Sequence, residues 1–286
     1  MSSYFVWDAS RVIFSVPVPF TDMEFPIRWY STLFAGGLIG AYYIMRHFFV
    51  HENKRLEPLE VFPTYIVIAT ILGARLGHVL FYEPANYLSN PLKILKVWEG
   101  GLASHGGFLA VIISVILFSK KFRKDLSFFW LMDRTAIAAM FSAGCIRIGN
   151  FFNSEIIGLK TDVPWAVIFK KIDMIPRHPS QLYEAFGFFW ISAIFFILYR
   201  KLDRKIPEGR FFGLILICGF GYRLLIEHFK ENQSAFEQGM ALNMGQILSI
   251  PFIGFGIYFA LLLHHRSSFW KWGLSDGSEI TREPSK

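Results

Sequence analysis

The sequence predicts an all-α polytopic membrane protein with seven transmembrane helices, and two observations carry that prediction. The 286-residue chain is 53% hydrophobic and only 18% charged, with a mean hydropathy of +0.38, whereas a soluble domain carries roughly 25% charged residues. Apolar stretches of about 20 residues recur along the chain, each long enough to cross a ~30 Å hydrocarbon core as a helix. We therefore expect a single membrane domain over residues 1–286.

The predicted spans are separated by short polar connections. They cover approximately residues 29–50, 61–82, 101–119, 126–147, 182–199, 209–229 and 244–265. The longest connection, at about 148–180, predicts a small external head. Both cysteines, Cys145 and Cys218, lie in apolar sequence, so neither a disulfide framework nor a zinc site is indicated.

The distribution of lysine and arginine predicts the orientation of the chain. The connections after spans one, three and five, together with the tail after span seven, hold sixteen of these residues, against nine on the other side. The positive-inside bias then places the N-terminus outside and the C-terminus in the cytoplasm. The net charge of +7 comes from short basic clusters between apolar runs, a pattern that favours membrane topology over a nucleic-acid-binding face.

Ionisable residues inside the spans gather at one depth under this orientation. Such side chains are costly in lipid and need a partner, a water-filled cavity or a function. Five spans bring seven of them to the outer end, namely Arg75, His78, His105, Arg147, Glu184, Arg223 and Glu227. Their shared depth favours a functional cavity that opens outward over a purely structural polar layer. Asp133 and Arg134, halfway along span four, lie apart and are expected to be structural.

Some of these residues have structural alternatives that the sequence leaves open. Arg75 has two possible roles, as a ligand-binding residue or as a cap for backbone carbonyls. Glu227 follows Arg223 by four residues, which places both on one helical face, so we expect Glu227 to be the counter-ion of Arg223. Glycine pairs, with Gly73 and Gly77, are expected to allow close helix packing.

Seven short segments carry a more specific signal than composition does. They are WYSTLF (29–34), GARLGHVLFY (73–82), VWEGGLASHGG (97–107), RIGNFFNSEIIG (147–158), RHPSQLYE (177–184), YRLLIEHFK (222–230) and MGQILSIP (244–251). In this order they resemble the prolipoprotein diacylglyceryl transferases, enzymes of the bacterial inner membrane. No single segment is specific, but the combination, which spans residues 25–265, is highly specific.

The resemblance implies a reaction and its setting. The diacylglyceryl group of phosphatidylglycerol would move to the lipobox cysteine thiol of a prolipoprotein signal peptide, forming a thioether and releasing glycerol phosphate. The protein would be a multi-pass protein of the bacterial cell inner membrane, with its active site towards the outer leaflet. No metal or other cofactor and no nucleic acid is expected, and the expected state is a monomer surrounded by membrane lipid.

The resemblance also places functional residues on this chain. Matched position by position, they fall on Tyr30, His105, Arg147, Asn150, Glu155, Gly158, Arg223 and Glu227. We expect His105, Arg147 and Arg223 to be catalytic, and the others to bind substrate together with Arg75 and Asn153. Three positions depart from the family pattern: Ile146 replaces a usual glycine, Gly219 a common tyrosine, and Lys230 an arginine of some relatives.

The expected chemistry explains why these residue types are needed. A cysteine thiol must lose its proton before it attacks a glycerol carbon, and the neutral imidazole of His105 can accept it. Deprotonation assisted by an arginine or by the substrate stays open. Arg147 and Arg223 keep their charge in a low-dielectric site and bind phosphate oxygens in pairs. They would thus stabilise the leaving phosphate.

Other functions fit the sequence less well. A membrane transporter of an anionic substrate would distribute charges along a path across the midplane, often with inverted repeats. Here the charges lie towards the outside and no repeat is evident. An intramembrane hydrolase would need a nucleophile–base pair, and Ser104 beside His105 gives poor helical geometry for one.

Overall fold

Helices make up most of the chain. The computed structural model describes residues 4–17, 19–20, 24–96, 100–101, 103–202, 206–232 and 239–262, without the side chains of residues 85, 86, 104, 105 and 108. The described α-helices are α1 (Trp29–His51), α2 (Glu57–Phe81), α3 (Pro84–Ser89), α4 (Ser104–Lys121), α5 (Phe128–Asn153), α6 (Ser180–Leu202), α7 (Arg210–Ile226) and α8 (Met244–Ile257). A 3-10 turn, Glu227–Phe229, continues α7, and a π turn, Tyr258–Leu262, continues α8.

Six helices among the described residues are long and apolar enough to cross a membrane. They are Trp29–His51, Glu57–Phe81, Phe128–Asn153, Ser180–Leu202, Arg210–Phe229 and Met244–Leu261. The predicted helical, polytopic membrane architecture is confirmed at this level. Helix α4 occupies the place of the predicted third span and packs along α2, while the count of seven spans and the orientation stay predictions. Residues 263–265 of the predicted last span lie outside the described residues.

Helix α5 extends further than the apolar pattern indicated. It continues to Asn153, well beyond the predicted end at residue 147, and stops where Ser154 adopts a left-handed conformation with φ of 56°. Arg147, Asn150 and Asn153 therefore lie on successive turns of one helix. The polar segment that follows the apolar sequence is helical at first, and the head begins after it.

Helix α5 lies at the centre of the bundle and contacts α1, α4, α6 and α7. Glycines allow α2 and α4 to pack closely against each other. A Cβ added to Gly106 of α4 would lie 2.3 Å from the carbonyl oxygen of Gly73 and 2.7 Å from Cα of Gly77, both in α2. The prediction that these glycines permit close helix packing is confirmed.

A separate buried polar network involves Asp133 and Arg134. Glu52, after α1, accepts hydrogen bonds from Arg134 Nη2 at 2.7 Å, Trp130 Nε1 at 2.6 Å and the Tyr199 hydroxyl at 2.7 Å. Asp133 accepts bonds from the backbone N–H groups at the start of α7. These contacts join four helices, so the predicted structural role of Asp133 and Arg134 is confirmed.

Short strands form the head. Strand β1 (Phe5–Trp7) pairs in parallel with β4 (Val167–Phe169), which pairs with β5 (Pro176–Arg177), and β2 (Val12–Pro17) forms a hairpin with β3 (Glu24–Arg28) that leads into α1. The head predicted at 148–180 thus also includes the N-terminal segment, which the sequence pattern had left unassigned. The strands are too short for a recognisable alternation of residues.

Candidate functional site

A chain of buried charges joins α5, α6 and the segment after α7. Glu184, which is 0% exposed, has one carboxylate oxygen 3.0 Å from Arg147 Nε and accepts a 2.8 Å hydrogen bond from Lys230 Nζ on the other. Lys230 also donates to Glu227 at 3.0 Å. The Arg147 contact is an ion pair without hydrogen-bond alignment. Each charge in this chain has an opposite neighbour, which offsets its desolvation.

A second polar group surrounds the C-terminal end of α5. Arg147 Nη1 donates to the side-chain oxygen of Asn150 at 3.3 Å, and Asn150 donates to Glu155 at 3.1 Å. Asn153 donates to the other oxygen of Glu155, also at 3.1 Å. Gln181 Nε2 donates to the backbone carbonyl of Glu155 at 2.6 Å. The structure therefore brings together Arg147 and three of the predicted substrate-binding residues.

Tyr30 lies against the same end of α5. A Cβ added to Gly149 would be 2.9 Å from its ring, so the absence of a side chain at Gly149 makes room for the tyrosine. The structure thus joins α1 to the group formed by Arg147, Asn150 and Glu155.

Arg223 differs from the other cations of this layer. Its Nε is buried without a hydrogen-bond partner, and in the described part of the chain its side chain forms no ion pair. The prediction that Glu227 is its counter-ion is wrong, because Glu227 pairs with Lys230. The reason is local: α7 ends at Ile226 and a 3-10 turn follows, so the i,i+4 register that would align the two side chains does not continue.

Two glycines allow the backbone to close around these residues. A Cβ on Gly158 would lie 2.2 Å from the carbonyl oxygen of His178 and 2.8 Å from that of Phe229. A Cβ on Gly245, in the first turn of α8, would lie 2.4 Å from the Glu227 carboxyl carbon. Gly158 is therefore a packing position at the join of head and bundle.

Arg75 and His105 occupy the other side of the layer. Arg75 is 3% exposed and donates hydrogen bonds to backbone carbonyls, which favours the carbonyl-capping alternative. His105 lies in the first turn of α4, while its side chain lies outside the described residues. His78 Nε2 is 3.8 Å from Glu83 and its ring stacks on Tyr82.

Two cavities lie near the network of ion-paired residues that includes Glu184, Lys230 and Glu227. A polar cavity of about 470 Å³ is lined by Glu227 and Lys230 together with Asn243 and Gln246. An apolar cavity of about 430 Å³ is lined by aromatic residues that include Tyr183, Phe186 and Tyr222. Phe229 lines the apolar cavity, and its sequence neighbours His228 and Lys230 line the polar one.

Comparison with known proteins decides the family. The profile of the prolipoprotein diacylglyceryl transferases matches residues 17–262. The chain belongs to this family. It is 44% identical over 256 residues to the phosphatidylglycerol–prolipoprotein diacylglyceryl transferase of Chloroherpeton thalassium, covering 90% of this chain and 93% of that protein.

Two further relatives of the transferase carry the same name. The protein of Tolumonas auensis is 46% identical over 236 residues, with 82% of this chain and 91% of the relative covered. That of Bacteroides fragilis is 41% identical over 267 residues, with 88% and 95% covered. The resemblance drawn from the sequence motifs is confirmed.

Sequence reasoning missed the residues that hold this buried polar layer together. In the sequence-based prediction, Glu184 lies in the polar layer without a functional role, and no role is assigned to Gln181. Lys230 is counted among the nine basic residues on the outer side. Lys230 is in fact only 5% exposed. The motif RHPSQLYE, which ends in Glu184 at the start of an apolar run, was the available signal, because a carboxylate at that position requires a cation.

Proposed function

We propose that this protein transfers the diacylglyceryl group of phosphatidylglycerol to the lipobox cysteine of a prolipoprotein. The thiolate sulfur forms a bond to the glycerol carbon, the bond from that carbon to the phosphate oxygen breaks, and glycerol phosphate leaves with the electron pair. The thiol proton passes to a base, for which His105 is the proposed residue.

The observation that carries this proposal is the pair of arginines in a buried ionic layer. Arg147 is held through Nε by Glu184 and donates through Nη1 to Asn150. Arg223 has a buried Nε without any partner. Buried N–H groups without acceptors are costly, and the phosphate oxygens of an anionic lipid would satisfy them.

The remaining residues then take supporting roles. Asn150, Asn153, Glu155 and Tyr30 offer hydrogen bonds to the glycerol hydroxyls or to the peptide. Glu227 and Gly158 shape the site through Lys230 and the head. The apolar cavity at Tyr183 and Tyr222 has room for part of an acyl chain.

The membrane setting belongs to the same proposal. We infer seven spans in a bacterial inner membrane, with the head and the ionic layer at the outer leaflet and the chain acting as a monomer. This arrangement would let phosphatidylglycerol reach the site from the bilayer, and the signal-peptide cysteine from the outer face.

A reconstituted transfer assay tests the function. Purified protein in vesicles receives phosphatidylglycerol with a radiolabelled acyl chain and a lipobox peptide, and a peptide with serine in place of cysteine is the control. We expect label in thioether linkage on the cysteine peptide only. If that product is absent and the vesicles take up separately added labelled glycerol phosphate, the result would instead support a transporter.

A further inference from the structure

The segment between α2 and α4 is tied to α2 by one side chain. We infer that Arg75 is a positioning residue: it fixes residues 91–96 and 100–101, and through them the start of the helix that carries His105. The inference rests on the proposed role of His105 for its effect on turnover. The hydrogen bonds from Arg75 to this segment, called the clamp below, are observed in the described residues.

Every N–H donor of Arg75 has a backbone carbonyl acceptor. Nε donates to Ile94 at 2.9 Å, Nη2 donates to Lys96 at 3.1 Å and to Lys93, and Nη1 donates to Gly101 at 3.3 Å and to Gly100. A guanidinium has five N–H groups, so none is left for a lipid phosphate. The acceptors all lie in residues 93–96 and 100–101.

The residues around Arg75 accommodate these hydrogen bonds. Its guanidinium carbon lies 4.9 Å from the centre of the Tyr87 ring, a cation–π contact at a buried site. Gly101 has a φ of +69°, and a Cβ there would be 2.7 Å from Arg75 Nη1 and from His78 Cδ2. The neighbouring Gly100 has a φ of +92°. These left-handed conformations suit glycine and let the segment turn onto the guanidinium.

The clamp continues directly into α4. The N-cap residue of α4, Ala103, has no side-chain capping bond, and its backbone N–H instead donates to the Ala74 carbonyl at 2.8 Å. Gly106 then packs on Gly73 and Gly77. The turn of α2 that carries Arg75 therefore holds both the entry to α4 and its first turn. An entry without a side-chain cap depends on such outside contacts.

Arg75 would then act on turnover through the position of α4 and not through lipid binding. Arg75→Gln removes the charge and most of the donors, so we expect kcat to fall at least about tenfold while KM for phosphatidylglycerol stays within about twofold. Arg75→Lys keeps the charge with three donors and should recover part of the loss. Arg55→Gln, at an exposed arginine, is the control and should match the parent protein.

A distance measurement separates positioning from general damage. Spin labels at residues 92 and 109, both exposed, report the segment against α4, and labels at 190 and 225, also exposed, report α6 against α7. In Arg75→Gln we expect the first distance distribution to broaden and the second to remain narrow. Gly101→Ala should broaden the 92–109 distance distribution by a smaller amount. If Arg75→Gln fails to fold, the Gly101→Ala measurement tests the clamp in its place.

Two results would overturn the inference. A rise of tenfold or more in KM for phosphatidylglycerol with unchanged kcat would make Arg75 a lipid ligand. An unchanged 92–109 distribution in both variants would show that no clamp exists. If His105→Gln proves fully active, the proposed base is lost, but the distance measurement still tests the clamp independently.

Discussion

Lys230 Nζ donates a 2.8 Å hydrogen bond to the Glu184 carboxylate, although the two residues are 46 positions apart in the sequence and both are buried. Through this contact the segment after α7 is held to α6, and through the other oxygen of Glu184 it is held to Arg147 on α5. A single carboxylate therefore fixes two cations, one on α5 and one in the segment after α7, at one end of the bundle.

Replacing Glu184 should damage both the fold and the reaction. Glu184→Gln leaves Arg147 without its anionic partner, and loss of one partner from a buried ion pair typically costs about 3–5 kcal/mol. We expect turnover to fall by about 10- to 100-fold and Tm to drop, as measured by lipid transfer and thermal unfolding in detergent. Glu57→Gln, at an exposed residue, is the control, and normal turnover in Glu184→Gln would refute the role assigned here.

The sequence predicted the layer to which these residues belong but not their pairing. Span directions alone placed Arg147 and Glu184 at one depth, and the structure brings them to 3.0 Å. Helical spacing failed for Arg223 and Glu227 because the helix tightens at Glu227, a change that apolar periodicity does not report. Lys230 follows a helix end and looks like a surface cation, so its burial depends on tertiary contacts that no local pattern contains.

The join between head and bundle should not tolerate a side chain at Gly158. Gly158→Ala would place its Cβ against the carbonyl oxygens of His178 and Phe229, and overpacking of this kind typically costs about 1–3 kcal/mol. We expect a lower Tm and reduced transfer activity. Gly254→Ala is the matched control, because nothing lies within 4 Å of the added Cβ. Equal Tm values for the two variants would show that the contact can relax without cost.

The head should lose stability in acid through Asp173. Hydrogen bonds from Arg177, at distances down to 2.5 Å, lower the pKa of the Asp173 carboxyl below its usual value. A lowered pKa in the folded state means that the stabilisation is present above the unfolded pKa of about 3.9 and is lost as the pH falls through the folded value.

Asp173→Asn should therefore lower the stability of the head at pH 7 and remove this part of its acid sensitivity. Thermal unfolding followed by tryptophan fluorescence, between pH 7 and pH 3, measures both effects. We expect the parent and variant curves to differ at neutral pH and to converge below pH 4. A constant difference across that range would exclude the Asp173–Arg177 pair as the cause.

The proposed base can be tested by its pH dependence. His105→Gln removes the titrating imidazole, and loss of a general base typically costs about 10²–10⁴ in rate. In the parent protein, kcat/KM should rise with pH as the base loses its proton, and the residual activity of the variant should lack that step. Full turnover of His105→Gln at neutral pH would remove His105 from the mechanism.

The central claim, that Arg147 and Arg223 bind the phosphate of an anionic lipid through paired donors, is tested most directly by the Arg147→Lys and Arg223→Lys variants. Each keeps its positive charge but loses the planar fork of donors. We predict that both variants insert into the membrane at parental levels and transfer diacylglyceryl about 10²–10³ times more slowly. Parental rates in either correctly inserted variant would contradict the account.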